Sequence, residues 1–321
     1  MEVFNLKNDK VEEVSVKPFK LERDIQNLVE KNTETFFGLE FIHSELTIGN
    51  YRIDSLCFDN ENNSFVIVEY KKGNSYSVID QGYTYLQLLL NNKSDFLLNL
   101  SQHYNKVLRL EDIDWSQSKI IFVSPSFNSY QKDSVNFKNL PFELWEIKRF
   151  SNNTIVFNKH QSNSKESIES LNNKNKNVIN SVSKEVKVYN IEEHTSRLNK
   201  IMLEKWDFIN SQINELDGVE LIPKRHYIGL VINGSSKSTI CYINFKKYKI
   251  RLTILRGVHN PDGFKSKNYF TLDDPKGISE DYKRILNNGT TQKSYQISID
   301  SKSDLDYLIF LIKQKYNSLI K

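Results

Sequence analysis

The stretch FVIVEYKKG, Phe65–Gly73, is the part of the sequence that decides the fold of the amino-terminal half. Four apolar residues run directly into Glu69, Tyr70 and Lys71, so a segment patterned as a buried strand ends on a carboxylate and an ammonium group. Because strand side chains alternate between faces, Glu69 and Lys71 are expected to point the same way, one pleat apart. Buried charge is costly unless it is paired or holds a metal ion, so this pattern indicates a functional site.

The segments before this strand predict two more strands beside it. Leu39–Ile48 and Tyr51–Phe58 have strand-like patterns and are joined by a Gly-Asn dipeptide, which is suited to a tight hairpin turn. In the second segment, Asp54 falls on the same face as two apolar residues. Short turns predict that the three strands form an antiparallel meander, which places Asp54 on the strand next to Glu69.

Helical spacing precedes and follows the meander. A helix is expected after Pro18, with Glu22 in its first turn and an apolar stripe formed by Leu21, Ile25, Leu28 and Val29. A second helix is expected from Ser77 to about Asn91, where Gln81 and Tyr85 are four residues apart and can face the same way. Two later runs, KIIFVSP (119–125) and FELWEIKRF (142–150), are typical of further strands. This order predicts an α/β fold with a mixed sheet flanked by helices.

The segment His160–Lys187 interrupts that order. It is rich in Ser, Asn and Lys and lacks periodicity, which predicts an exposed linker. We therefore expect a first domain over residues 1–158, a linker over 159–188 and a second, smaller α+β domain over 189–321. The elements expected in the second domain are a helix over Glu192–Leu216, strands over Tyr227–Ile232, Ser238–Phe245 and Tyr248–Leu255, and a helix over Leu305–Ile320.

The distribution of charge along the chain indicates an anionic partner more clearly than the net charge does. The whole chain carries 44 Lys and Arg against 40 Asp and Glu, a net charge of +4, which only weakly favours an anionic partner. Between Ile222 and Asn268, however, Asp262 is the only acid among many basic residues. Alternation predicts that Tyr248–Leu255 has a packing face of Tyr248, Ile250, Leu252 and Ile254 and a basic face of Lys247, Lys249 and Arg251. That basic face is either a solvated sheet surface or a surface that contacts phosphates, and both interpretations stay open.

Several classes of protein and site are not expected. The two cysteines, Cys57 and Cys241, lie in strand-like runs and are expected to be core residues of a protein in the reducing cytoplasm. The amino terminus lacks the pattern of a signal peptide, and no apolar run approaches the roughly 20 residues of a membrane helix. The histidines show no metal-ligand spacing, and no phosphate-binding or dinucleotide-binding glycine pattern is present.

The arrangement of Asp54, Glu69 and Lys71 on adjacent strands resembles the PD-(D/E)XK nuclease superfamily, the restriction-endonuclease-like fold. The resemblance covers about residues 19–150, and Ile53 stands where the motif's first position has proline. It implies a Mg²⁺ or Mn²⁺ ion held by Asp54, Glu69 and the carbonyl of Tyr70. The catalytic residues that it implies are Asp54, Glu69, Lys71, Glu22 and Gln81, with Tyr85 packing beneath the site.

The function that this resemblance implies is metal-dependent hydrolysis of phosphodiester bonds in DNA, in defence or repair. Contacts with nucleic acid are expected from Lys72, Lys246, Lys247, Lys249, Arg251 and Arg256. With one such site per chain, cleavage of a duplex would favour a homodimer. The alternative is a non-catalytic module that uses the same fold to bind nucleic acid or to mediate assembly.

The carboxy-terminal half has a resemblance of its own. The segment Tyr227–Gly257 resembles an uncharacterised domain family found at the carboxy end of bacterial and archaeal proteins, some of them labelled predicted transport proteins. This likeness implies no catalytic residue. Because the chain has no predicted membrane segment, we do not expect it to be a channel or a carrier.

Overall fold

The computed structural model describes residues 2–72, 78–135, 140–160, 182–259 and 269–320. The chain divides into two compact units, Met1–Lys187 and Val188–Lys321. Residues 161–181, which make up most of the predicted linker, lie outside the described residues. The limits predicted for the two domains and the linker therefore stay predictions.

The first unit contains a hairpin and a six-stranded mixed sheet. Its strands are β1 (Phe4–Lys7), β2 (Lys10–Glu13), β3 (Glu40–Ile48), β4 (Tyr51–Asp59), β5 (Ser64–Tyr70), β6 (Lys119–Ser124), β7 (Phe142–Arg149) and β8 (Ile155–Lys159). Strands β1 and β2 form the hairpin, and β3 to β8 lie side by side in chain order. Strands β5, β6 and β7 run parallel, whereas the other neighbours in the sheet are antiparallel. The predicted mixed sheet is confirmed.

Strand β5 lies inside this sheet because it is apolar on both faces. All seven of its residues, Ser64 to Tyr70, are buried. The meander before it follows the predicted pattern: Gly49, in the turn between β3 and β4, has φ +57°, a left-handed conformation that favours glycine. The consequence is that Glu69 and Tyr70 stand at the carboxyl end of a rigid internal strand.

Helices cover both faces of the sheet. They are α1 (Glu22–Glu30), α2 (Thr33–Phe37), α3 (Val78–Asn91), α4 (Lys93–His103) and α5 (Ser129–Ser134), with short 3₁₀ turns at Leu110–Asp112 and Trp115–Gln117. Helices α3 and α4 contribute to one apolar core, and α1 and α2 contribute to another on the opposite side. Leu21 was predicted to join the apolar stripe of α1, and this was wrong: it precedes the helix and is 62% exposed.

The second unit is a six-stranded antiparallel sheet with helices packed on one face. Its helices are α6 (Ile191–Thr195), α7 (Lys200–Ile213) and α8 (Leu305–Leu319). Its strands are β9 (Val219–Pro223), β10 (Ile228–Ile232), β11 (Ser235–Lys246), β12 (Lys249–His259), β13 (Ser279–Ile285) and β14 (Thr291–Ile299), in the spatial order β13-β14-β12-β11-β10-β9. The predicted packing residues Ile250, Leu252 and Ile254 are fully buried beneath α7 and α8. A second unit of the α+β type is thereby confirmed.

The structure corrects the predicted helix over Glu192–Leu216 and the predicted position of Tyr248, and it adds strands β9, β13 and β14, which were not predicted. The single helix expected over Glu192–Leu216 is two helices, because the side chain of Asn199 accepts a hydrogen bond from Met202 N–H (2.9 Å) and starts α7 afresh. Tyr248 was expected on the packing face but lies in the turn between β11 and β12, where it is 65% exposed. The turn therefore displaces one residue from the alternation that the rest of β12 follows.

Both cysteines are buried, as their strand-like surroundings predicted. Cys57 and Cys241 are both buried free thiols. Within the described ranges, no helix has the length and hydropathy needed to cross a bilayer.

Gly82 allows α3 to approach the sheet closely. A Cβ atom at this position would lie 2.7 Å from Cε1 of Phe142, whose ring is held by Tyr83 at a centroid distance of 5.0 Å. We expect Gly82→Ala to lower the free energy of unfolding by about 1–3 kcal/mol through overpacking, measured by urea denaturation. Adding Phe142→Leu should recover part of that loss, and a Gly82→Ala protein as stable as wild type would contradict this packing.

Lys315 predicts a pH dependence of stability. It lies on α8, only 4% exposed, with Nζ 5.0 Å from the centre of the Phe270 ring. Burial lowers the pKa of Lys315 to about 8. The folded state therefore disfavours the ammonium form, and the resulting cost is complete below pH 8 and is relieved as the pH rises towards the unfolded value near 10.5.

We expect Lys315→Met to raise the free energy of unfolding at pH 7 by up to about 3 kcal/mol, because it removes that cost. The gain over wild type should shrink between pH 8 and pH 10, which paired thermal melts across this range would measure. A gain independent of pH would show that the ammonium group is not the cause.

Candidate active site

The candidate site forms where β4 and β5 separate. Their ladder ends at the pair Ser55–Val68, and Asp54 and Glu69 are the next residues on the two strands. At this point the backbone N–H of Tyr70 donates to Oδ2 of Asp54 (3.0 Å). The carboxylate thus takes the place of a strand carbonyl, which holds Asp54 beside Glu69.

Glu69 is a buried carboxylate with unequal oxygens. Its Oε1 accepts hydrogen bonds from Lys71 Nζ (2.8 Å) and Gln81 Nε2 (2.6 Å). Its Oε2 is buried and has no hydrogen-bond partner among the described residues. The ion pair with Lys71 shows that the two charged side chains point the same way, as the strand alternation predicted.

Burial and mutual repulsion shift the pKa values of both acids. Burial, followed by the charge of Asp54, raises the pKa of Glu69 to about 7, although Lys71 and Gln81 oppose the shift. Burial also raises the pKa of Asp54, against the hydrogen bond from Tyr70 N–H and the charge of Lys71. The protein thus holds two acidic groups together in a place where their negative charge is incompletely compensated.

Helix α3 supplies the polar groups above Glu69. The amide of Gln81, one of the residues that the resemblance implies to be catalytic, donates to Glu69 and to the hydroxyl of Tyr85 (3.2 Å). Tyr85 is buried in the apolar core and donates to the carbonyl of Arg52 (3.2 Å). Gln81 therefore fixes the orientation of the Glu69 carboxylate.

Helix α1 borders the opposite side of the strand end. Glu22, at its start, accepts a hydrogen bond from the backbone N–H of Lys72 (3.0 Å), and its charge also raises the pKa of Asp54. Sequence reasoning missed Gln26 and Glu30, which contact β4 from the same helix. The sequence contains a signal for them, because polar residues recur every four positions after Glu22. The helix was interpreted from its apolar stripe alone, so this polar repeat was overlooked.

The donor set can be tested against the ion that the resemblance implies. Within the described ranges, no three or more His, Cys, Asp or Glu side chains are grouped around a common point. Mg²⁺, however, is often bound by one or two carboxylates together with water and substrate phosphate. The unpartnered oxygen of Glu69 beside Asp54 is a hard donor of this type, so these residues fit Mg²⁺ or Mn²⁺.

The basic residues expected to contact nucleic acid lie in different places. Lys246, Lys247 and Lys249 are together at the turn between β11 and β12, and Arg251 follows on β12. Arg256 lies further along β12, where it forms an ion pair with Asp281 (2.8 Å) and stacks on Tyr295 at 4.5 Å. In the first unit, Lys72 Nζ donates to the carbonyl of Lys20. The turn thus brings three of the lysines together and leaves Arg256 apart from them.

Comparison with known proteins finds a relative that matches almost the whole chain. A protein of Haemophilus influenzae strain Rd, described as an uncharacterized protein, is 36% identical over 317 residues, which are 98% of this chain and 99% of that protein. This chain belongs to the family of that protein. No family model matches the chain, so the resemblance of its carboxy-terminal half to a prokaryotic domain family stays a prediction.

Three solved structures are similar to part of the chain of this family member. A repair endonuclease from Pyrococcus abyssi is 19% identical with a TM-score of 0.21, covering 37% of this chain and 44% of that one. EndoMS in a complex with double-stranded DNA is 15% identical with a TM-score of 0.22, covering 46% of this chain and 64% of that one. Pyrococcus furiosus SfsA with Ca²⁺ is 12% identical with a TM-score of 0.23, covering 46% of this chain and 74% of that one. This chain overlaps less than two thirds of the first two proteins, and similarity this limited carries no functional argument.

The unpartnered oxygen of Glu69 predicts stabilisation by a divalent metal ion. Mn²⁺ at about 100 times its dissociation constant should add roughly 2.7 kcal/mol to the free energy of unfolding, seen as a rise in Tm. Glu69→Gln should abolish the rise. Glu40→Gln, which alters another carboxylate with several side-chain donors on the same sheet, should retain it. An equal rise in wild type and Glu69→Gln would exclude Glu69 as a ligand.

Proposed function

We propose that the chain is a metal-dependent nuclease that hydrolyses phosphodiester bonds in DNA. The observation that carries the proposal is the Glu69 carboxylate, buried beside Asp54 with one oxygen held by Lys71 and Gln81 and the other without a hydrogen-bond partner among the described residues. A buried, incompletely compensated carboxylate is costly for stability. A site that binds a cation and an anionic substrate explains why such a group is retained at the end of an internal strand.

In this proposal Asp54 and Glu69 hold Mg²⁺ or Mn²⁺, with the carbonyl of Tyr70 as a third donor. Such an ion, when bound, lowers the pKa of a coordinated water and neutralises charge on the phosphate. Tyr70 N–H fixes the Asp54 carboxylate, and Gln81 fixes that of Glu69. Both acids are therefore oriented before substrate arrives, which reduces the reorganisation needed in the reaction.

Lys71 is proposed to act on the attacking water and on the phosphate, whereas Asp54 and Glu69 are proposed to hold the metal ion. Its ammonium group is 2.8 Å from Oε1 of Glu69, and its side chain is 13% exposed. From this position it hydrogen-bonds the attacking water and offsets the negative charge that develops at the phosphate. Glu22 holds the chain that follows Lys71, because it accepts the backbone N–H of Lys72.

The second unit is proposed to hold DNA through its basic turn. Lys246 and Lys247 are exposed, Lys249 and Arg251 are half-buried, and strands β10 to β12 contain no acidic residue. Contacts of this kind are insensitive to sequence and weaken steeply with salt. Lys72 and Arg256 complete the proposed set, although Arg256 must exchange its contact with Asp281 for a phosphate.

Substitution of the central residues tests the proposal. Asp54→Ala, Glu69→Ala and Lys71→Ala should each reduce Mg²⁺-dependent or Mn²⁺-dependent cleavage by at least about a hundredfold, because each removes a group that acts on the reacting phosphate. The measurement is cleavage of plasmid, linear and single-stranded DNA resolved on gels, with circular dichroism to confirm folding.

Lys148→Ala, which removes a lysine from β7 of the same sheet, should cleave as wild type does. Equal cleavage by wild type and Glu69→Ala would overturn the proposal. Tight, salt-dependent DNA binding without cleavage under either metal would assign the chain instead to the non-catalytic binding modules.

A further inference from the structure

Three polar residues of α1 face the end of β4 and β5. Glu22, Gln26 and Glu30 recur every four positions and so lie along one side of the helix. Glu22 accepts the N–H of Lys72 (3.0 Å), and Gln26 Nε2 donates to the carbonyl of Asp54 (3.3 Å). The side of α1 that borders the candidate site is thus a polar stripe, and it contacts the backbone of the site at Lys72 and Asp54.

Gln26 satisfies a backbone group that the ladder leaves over. In the β3–β4 ladder, Glu45 has a left-handed φ of 51° and does not pair with Asp54, and the Asp54 carbonyl instead meets the amide nitrogen of Gln26. The same nitrogen donates to Oε1 of Glu30 (3.0 Å), and Gln26 is only 8% exposed. Both neighbours are acceptors, so the amide nitrogen rather than the amide oxygen must face them.

Glu30 links this amide to strands β3 and β4. Its Oε1 also accepts hydrogen bonds from Ser44 Oγ on β3 (2.8 Å) and Ser55 Oγ on β4 (2.6 Å). Ser55 Oγ in turn lies 3.1 Å from the hydroxyl of Tyr70, and both residues are fully buried. A continuous polar network therefore runs from α1 to the residue between Glu69 and Lys71.

We propose that Gln26 and Glu30 are positioning residues of the candidate site, which fix β3 and β4 and, through Ser55, Tyr70 of β5, so that the Asp54 and Glu69 carboxylates face one metal position. This inference rests on the proposed function. A role in packing alone would be served by apolar side chains, since hydrogen-bonded polar groups in such a place add little net stability. Groups that orient metal ligands typically change metal affinity by about 10–100-fold when they are removed.

The test uses the full chain with Gln26→Leu and Glu30→Gln. Two matched controls are Asn32→Ala, which removes a side-chain hydrogen bond to Leu28 at the end of the same helix, and Glu40→Gln, which neutralises a carboxylate that also accepts several side-chain donors. The readouts are the dissociation constant of Mn²⁺ by calorimetry and amide hydrogen exchange over residues 69–72 by mass spectrometry. Thermal melts show that each variant is folded.

We expect the dissociation constant of Mn²⁺ to rise about tenfold or more in Gln26→Leu and Glu30→Gln. Exchange of the Tyr70 amide should become about tenfold faster, because Asp54 no longer holds it in place. Both controls should retain wild-type values. Loss of stability with an unchanged Mn²⁺ constant and unchanged exchange would overturn the positioning role.

The same experiment separates the two proposals. A wild-type protein that binds no Mn²⁺ would overturn the proposed function. The exchange measurement would then still decide whether Gln26 and Glu30 hold the strand ends, since it needs neither metal nor substrate.

Discussion

Every backbone polar group that leaves a buried ladder must find another partner, and this constraint governs the end of β4 and β5. The β3–β4 ladder skips the pair Glu45–Asp54, which releases the carbonyl of Asp54, and the β4–β5 ladder stops at Ser55–Val68, which releases the N–H of Tyr70. The first is satisfied by the amide of Gln26, and the second by the carboxylate of Asp54 itself. The contacts that prevent unsatisfied backbone groups are therefore the same contacts that orient the acid.

The electrostatics of the site follow from that separation. Asp54 and Glu69 are brought together in a place with little water, so each makes ionisation of the other less favourable. One lysine and one glutamine offset part of this cost at a single oxygen of Glu69. The arrangement lowers stability locally, as functional sites commonly do, at the end of strand β5, whose residues are all buried.

The core of the fold could be predicted because its signals are local and strongly periodic. The apolar run of β5, the turn at Gly49 and the two-residue spacing of Glu69 and Lys71 each specify a strand feature without reference to distant residues. Strand β13, SEDYKRI, was missed because it is a polar edge strand with no apolar face. The partners of Gln26 and Glu30 are serines and a carbonyl on other strands, which only the tertiary structure brings to α1.

Two consecutive residues of helix α3 make different contacts: Gln81 donates a hydrogen bond to Glu69, and Gly82 packs against the Phe142 ring. The distance between α3 and β7 therefore also sets the distance between the Gln81 amide and the Glu69 carboxylate. Within the family, positions 82 and 142 should covary in size, with any larger residue at the first matched by a smaller one at the second. A change in the packing of Gly82 against Phe142 during evolution would therefore also change the position of Gln81, the preceding residue, at the candidate site.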